Sequence, residues 1–145
     1  MVNICLIQPK DFMPLIHELM AANWAETGFD FPFNPSVEQY QTLVDAKLMF
    51  ALAAFDESRM VGYCTMLVTP TMHNPAIIIA ANDALFVDPA YRGVIGGRMI
   101  RVAEAEARSR GACRVLWHTR SGTKLHESMA KHGYLPADIV MMKEL

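Results

Sequence analysis

The chain of 145 residues has the size of one domain and is long enough to enclose a core. With 52% hydrophobic and 19% charged residues it is not a disordered chain, because burial of apolar surface can offset the entropy lost on ordering. A formal net charge of -2 gives no global positive field for a nucleic-acid backbone or an anionic membrane, so any anion site has to be local. Cys5, Cys64 and Cys113 are widely spaced in apolar runs and read as buried, reduced thiols. Neither they nor the five histidines have metal-ligand spacing, so no metal is expected. No charged leader precedes an apolar stretch, and no apolar run approaches the roughly 18 residues of a membrane span. The expectation is a soluble, cytoplasmic protein.

Val2 to Ile7 reads as a strand, and Pro9 stands where a helix start accepts proline. Phe12, Leu15, Ile16, Leu19 and Met20 then recur at three-and-four spacing, which predicts a helix with one face on the core, ending near Gly28. Gly28 to Pro35 carries two prolines beside Phe29, Phe31 and Phe33 and reads as a loop. Ser36 is placed to cap a shorter helix from about Val37 to Ala46, with Gln39 completing a capping box. Met49 to Phe55 and Met60 to Val68, joined by Asp56-Glu57-Ser58-Arg59, read as an antiparallel hairpin. A loop holding Pro70 and Pro75 leads to Ala76 to Val87, a strand long enough to bend at a bulge near Asn82-Asp83.

A helix is expected from Gly96 or Gly97 to Arg110, with Met99, Ile100, Ala103 and Ala107 inward, Glu104 and Arg108 as a surface pair, and Gly111 as the stop. Cys113 to His118 reads as a strand, Thr123 to His132 as a helix stopped by Gly133, and Ile139 to Met142 as a last strand. Together these elements predict a mixed α/β (α+β) sheet, antiparallel first, with a strand-helix-strand unit later.

The segment with chemical content is Tyr91-Arg92-Gly93-Val94-Ile95-Gly96-Gly97, set between a long strand and an amphipathic helix. A helix start leaves amides unpaired and carries about half a positive charge, so it favours a phosphate or pyrophosphate. Glycines at 93, 96 and 97 let the backbone approach a ligand without a Cβ clash, and Arg92, Arg98 and Arg101 add charge at the same end. Gly pairs before helices also serve as plain connectors. The chain has neither the G-K-[ST] ending of a nucleoside-triphosphate loop nor G-x-G-x-x-G.

Leu85-Phe86-Val87-Asp88-Pro89-Ala90-Tyr91-Arg92-Gly93, the glycines, Met99-Ile100, Glu104, Ala107 and Gly111 resemble motif A of the GNAT N-acetyltransferase superfamily, roughly L-x-V-x-P-x-Y-R-G-x-G-x-G followed by a helix. The likeness is close over residues 81–111 and architectural elsewhere. The glycine spacing departs from the pattern, because Ile95 stands where the family has glycine. The loop closes at Gly97 with the spacing from Pro89 kept, or at Gly96 one residue short. The second register puts Met99, Ile100, Glu104 and Gly111 where the family helix has them and is preferred.

The resemblance implies a GNAT-like, mostly antiparallel sheet with a V-shaped splay, and transfer of an acetyl or related acyl group from acetyl-CoA directly to a primary amine of a small molecule or protein. It further implies main-chain contacts from Leu85, Phe86 and Val87 to the pantetheine arm, a cradle of residues 91–98 including Arg98, and a homodimer through late strands. Asp83 is the first candidate for the general base, beside a reading in which its carboxylate only bonds local amides. Asn82 as a water-orienting group and His118 as a second base complete the catalytic candidates. The family tyrosine that protonates the departing thiolate is replaced by Met129 in Ser128-Met129-Ala130-Lys131-His132-Gly133-Tyr134, which leaves Ser128 or Tyr91 as substitutes. Phe29, Phe31 and Phe33 either line an acceptor slot or anchor their loop. The rival to an enzyme is a non-catalytic CoA-binding or scaffold protein that keeps the fold.

Overall fold

The computed structural model describes residues 1–28 and 30–145; Phe29 lies outside them. Five strands, β1 (Val2–Ile7), β2 (Met49–Asp56), β3 (Arg59–Thr71), β4 (Asn74–Val87) and β5 (Ala112–Leu116), form one sheet in sequence order. Every pairing is antiparallel except β4 with β5, which are joined by a helical crossover. The helices are α1 (Pro9–Thr27), α2 (Val37–Asp45), α3 (Val94–Ser109) and α4 (Lys124–Lys131). None of the helices among the described residues is long and apolar enough to cross a membrane.

Helices cover both faces of the sheet centre, which is why β2 and β3 read as nearly unbroken apolar runs instead of alternating ones. On one face Ile16 and Met20 of α1 pack with Tyr63 and Phe86. On the other, Met99, Ala103 and Ala107 of α3 pack with Phe50, Leu52, Val61 and Cys64. Serine and threonine start two of the helices: the Ser36 hydroxyl accepts from the Gln39 amide, and Thr123 caps α4 through the His126 amide. Such a cap is worth about 1 kcal/mol.

Several expectations change. In α1 the buried stripe is Met13, Ile16 and Met20, whereas Leu15 is 56% exposed; the stripe is rotated by the sheet it meets. Pro70 and Pro75 lie inside β3 and β4, not in a loop. Pro70 pairs with Ile78 across the β3–β4 ladder but lies past the end of β2, which begins opposite Leu67, and Pro75 lies before β5, which begins opposite Ile78, so each proline has a strand on one side only, where proline is tolerated. Cys64 alone of the thiols is buried; Cys113, on the edge strand β5, is exposed. Glu104 does not pair with Arg108: it accepts hydrogen bonds from Trp117 Nε1 and the Tyr134 hydroxyl, while the i,i+4 ion pair of this helix is Glu106–Arg110. Ile139 to Met142 forms no strand; these side chains are exposed and no strand pairs with them.

One position missed in the sequence sets how closely α3 meets the sheet. Gly62 of β3 lies opposite Val87, and a Cβ there would stand 3.1 Å from the Phe86 carbonyl oxygen, 3.2 Å from Met99 Sδ and 3.3 Å from Val87 Cγ2. Gly62→Ala is therefore expected to destabilise the fold by about 1–3 kcal/mol through overpacking. Denaturant unfolding checks this, and an unchanged midpoint would mean that α3 can retreat freely.

Candidate active site

The bulge expected near Asn82-Asp83 is present. Thr65 opposes Ala84 and Met66 opposes Asn82, so Asp83 is the extra residue of β4. An inserted residue of this kind re-aims side chains. The Asp83 carboxylate is exposed and accepts from the Thr65 hydroxyl at 2.9 Å and, more weakly, from the Tyr40 hydroxyl at 3.4 Å. Both bonds fall on Oδ2; among the described residues Oδ1 accepts none and no cation pairs with the group.

The surroundings of Asp83 feel its charge. Burial, then the Asp83 charge, hold the Tyr40 hydroxyl far above its ordinary range. Burial also lifts Tyr63 to about 12, offset in part by a hydrogen bond from Asn23 and reinforced by Asp83. The Cys64 thiol is pushed up by burial and then by the same carboxylate, so it is no nucleophile at neutral pH.

The Asn82 side chain is bonded to backbone. Its Oδ1 accepts from the His118 amide at 2.6 Å and its Nδ2 donates to the His118 carbonyl at 3.3 Å. The structure thus brings Asn82 to the His118 backbone, while the His118 side chain is exposed past the end of β5.

Beyond Ala81, which pairs with Leu116, β4 has no register partner on the β5 side. Leu85, Phe86 and Val87 therefore keep pairing to β3 alone, opposite Cys64, Tyr63 and Gly62. The chain leaves β4 through Asp88, whose carboxylate accepts from the Ala90 amide and from Arg59, into a short 3-10 turn over Pro89–Tyr91. The Tyr91 hydroxyl donates to Asp56 at 2.8 Å, which raises its pKa, and so ties the turn to the β2–β3 hairpin.

Helix α3 begins at Val94, earlier than Gly96 or Gly97, with Gly93 as its N-cap at φ 88°, a left-handed angle that needs glycine. The first intrahelical bond runs from the Gly97 amide to the Gly93 carbonyl, so Gly97 is inside the helix. The amides of Val94, Ile95 and Gly96 precede it, and no side chain caps them. Ile95 turns its side chain into the core in line with Met99, Ala103 and Ala107. Val94 is exposed at this helix start.

Two of the three arginines point elsewhere. Arg92 pairs with Glu26 at 2.6 Å, donates to the Val87 carbonyl and lies over the Phe86 ring, and Arg98 donates to the Val2 carbonyl. Arg101 remains beside the helix start: its Nη1 lies 3.7 Å from where a Cβ on Gly97 would be, and it has no ion pair among the described residues. Gly96 has helical φ and a Cβ there would meet nothing within 4 Å, so neither backbone strain nor packing within the chain requires glycine.

The sequence model of the acetyltransferase (GNAT) family matches residues 16–134. The chain belongs to this family. No curated protein is significantly similar to it. Among solved structures, this GNAT protein resembles an aminoglycoside acetyltransferase from an uncultured soil metagenomic sample, in complex with trehalose, at TM-score 0.78 and 18% identity over 99% of this chain and 95% of that one. It also resembles the ribosomal-protein-alanine N-acetyltransferase of Brucella melitensis biovar Abortus at TM-score 0.74 and 17% identity, covering 100% and 99%. An acetyltransferase of Trypanosoma brucei gives TM-score 0.75 and 18% identity, covering 100% of each. Identities this low speak to the fold, which is that of a GNAT acetyltransferase.

In this GNAT domain Met129, which the resemblance sets in place of the family tyrosine, is buried in the face of α4. Ser128 is exposed, and its carbonyl accepts from His132. Tyr134 is committed to Glu104, and burial with that bond lifts it to about 12. Of the loop phenylalanines, Phe33 packs against His17 and Trp24 and anchors the loop to α1, Phe31 stands edge-on to Trp24, and Phe29 lies outside the described residues.

All four tyrosines of the chain are thus held protonated beyond their ordinary range. An acid whose pKa is raised on folding contributes stability that is complete below its unfolded pKa of about 10 and is lost as pH rises through the folded value. Tyrosinate absorbance of the native protein is expected to stay low at about pH 10, where a solvated tyrosine is half ionised, and to rise together with unfolding toward about pH 12. A half-ionised native protein at about pH 10 would contradict these environments.

Proposed function

We propose that this GNAT acetyltransferase takes its acetyl group from acetyl-CoA and transfers it directly to a primary amine, with the CoA pyrophosphate on the start of α3 and Asp83 serving the amine. Gly96 is the observation that carries the donor site. Glycine in a helix costs about 0.5–1 kcal/mol relative to alanine, and at Gly96 nothing inside the chain repays that cost. Space kept open beside the unpaired amides of Val94, Ile95 and Gly96, with Arg101 adjacent, fits an anionic ligand seated against the backbone.

The chemistry follows from the charges. An amine with pKa near ~10.4 is mostly an ammonium at neutral pH and has to lose a proton before its nitrogen can attack the thioester carbonyl. Asp83, with Oδ2 held by Thr65 and Tyr40 and Oδ1 open, attracts the ammonium and receives or relays that proton. The nitrogen–carbon bond forms, the carbon–sulfur bond breaks, and the thiolate leaves. With pKa around ~8.5 that thiolate departs tolerably without a protein acid and takes its proton from solvent, consistent with Met129 in place of the tyrosine. Solved neighbours that act on an aminoglycoside or on a ribosomal-protein alanine support an amine as acceptor.

Gly96→Ala is expected to raise unfolding stability by about 0.5–1 kcal/mol while weakening acetyl-CoA binding. Calorimetric titration beside denaturant unfolding reads both, and unaltered affinity would remove the cradle assignment. Thiol release over a panel of amines then tests transfer. Asp83→Asn is expected to lower kcat about a hundredfold with the acetyl-CoA KM little changed. Binding without thiol release from any amine would favour a non-catalytic CoA-binding protein.

A further inference from the structure

The ladder between β4 and β5 runs from the Ile78–Ala112 pair to the Ala81–Leu116 pair and then stops, although β4 continues to Val87 along β3. At the first β4 residue beyond the ladder, the Asn82 side chain makes both bonds that a strand neighbour would make. It accepts from the His118 amide at 2.6 Å and donates to the His118 carbonyl at 3.3 Å. A carboxamide carries the same donor and acceptor as a peptide group, so it can satisfy His118 as a backbone would, but from the tip of a side chain. Strands paired backbone to backbone lie about 4.8 Å apart. A side-chain amide interposed between them meets the hydrogen-bonding needs of β5 while keeping its exit away from β4.

We propose that Asn82 is a strand-separating clamp: it holds the chain after β5 off β4, so that the β4 backbone from Asp83 to Val87 stays open on that side for the acyl donor. The inference rests on the donor reading above and adds a positioning role that touches neither donor nor acceptor. The bulge at Asp83 re-aims β4 at the same place, but a bulge alone does not decide where β5 goes. Asn82 does so by engaging both backbone groups of one residue. Closing the gap would need β5 to trade these bonds for ladder bonds, which the wild-type side chain pre-empts.

The test compares Asn82→Leu, of similar size and with neither bond, with Asn82→Asp, which keeps an acceptor for the 2.6 Å bond and loses the donor. Acetyl-CoA affinity by calorimetry, His118 amide exchange and the unfolding midpoint are measured for each, with Gly96→Glu as a control that blocks the cradle. Asn82→Leu is expected to weaken acetyl-CoA binding on the order of tenfold and to speed His118 exchange, whereas Asn82→Asp, which keeps the bond to the His118 amide but sets an oxygen against its carbonyl, falls between Asn82→Leu and wild type in affinity and in exchange. Gly96→Glu should abolish binding with His118 exchange unchanged. Wild-type affinity in Asn82→Leu overturns the clamp and leaves the donor site standing. Equal loss in the Leu and Asp variants, in step with lowered midpoints, overturns it too, because a merely structural role gives that result. Wild-type protein that binds no acetyl-CoA instead removes the donor reading itself, and the clamp with it.

Discussion

Everything at the candidate site depends on β4 having two neighbours of unequal length. β3 follows it to Val87, whereas β5 leaves it at Ala81. A β-strand whose backbone is unpaired on one side normally invites another strand or water. Here the unpaired stretch lies in the middle of the fold, between a bulge that turns Asp83 toward Thr65 and Tyr40 and a turn that delivers the chain to the bare amides of α3. The open backbone, the carboxylate and the helix start are three consequences of one interruption in pairing.

The surrounding structure holds that interruption in place from several sides. Gly62 lets Met99 and Val87 meet the sheet closely, so α3 is fixed relative to the end of β4. Tyr91, bonded to Asp56, and Asp88, bonded to Arg59, tie the intervening turn to the tip of the β2–β3 hairpin. Arg92 spans the opposite side, taking the Val87 carbonyl and the Glu26 carboxylate together. Arg92 thereby braces the loop, and the helix amides and Arg101 are the other positive groups at the start of α3.

Charge is distributed so that the bulge at Asp83 is negative and the helix start positive. Asp83 has no ion-pair partner among the described residues, and its neighbours Tyr40, Tyr63 and Cys64 are neutral groups whose ionisation it opposes. The proposed amine would thus meet an uncompensated carboxylate, and the proposed pyrophosphate a helix end with no side-chain cap. This separation of the two signs, more than any single residue, is what supports the proposed joining of an anionic donor with a cationic acceptor.

Much of this was legible from residue order alone, because it depends on local chemistry. The strand and helix runs, the caps at Ser36 and Thr123, the stops at Gly28, Gly111 and Gly133, the bulge at Asp83 and the motif from Leu85 to Gly111 all declare themselves within a few neighbours. What depends on distant partners did not. Which face of α1 is buried, where Arg92 and Arg98 point, that Asn82 spends its amide on His118, and that Gly62 makes room for Met99 are settled by groups far away in sequence. Ile139 to Met142 shows the converse: strand-like composition makes no strand without an edge to pair with. Sequence by itself determined most of the elements and the family resemblance, since propensity, capping and glycine placement are short-range; tertiary structure alone decided which polar side chains are free to meet a ligand, since that depends on what each has already bonded.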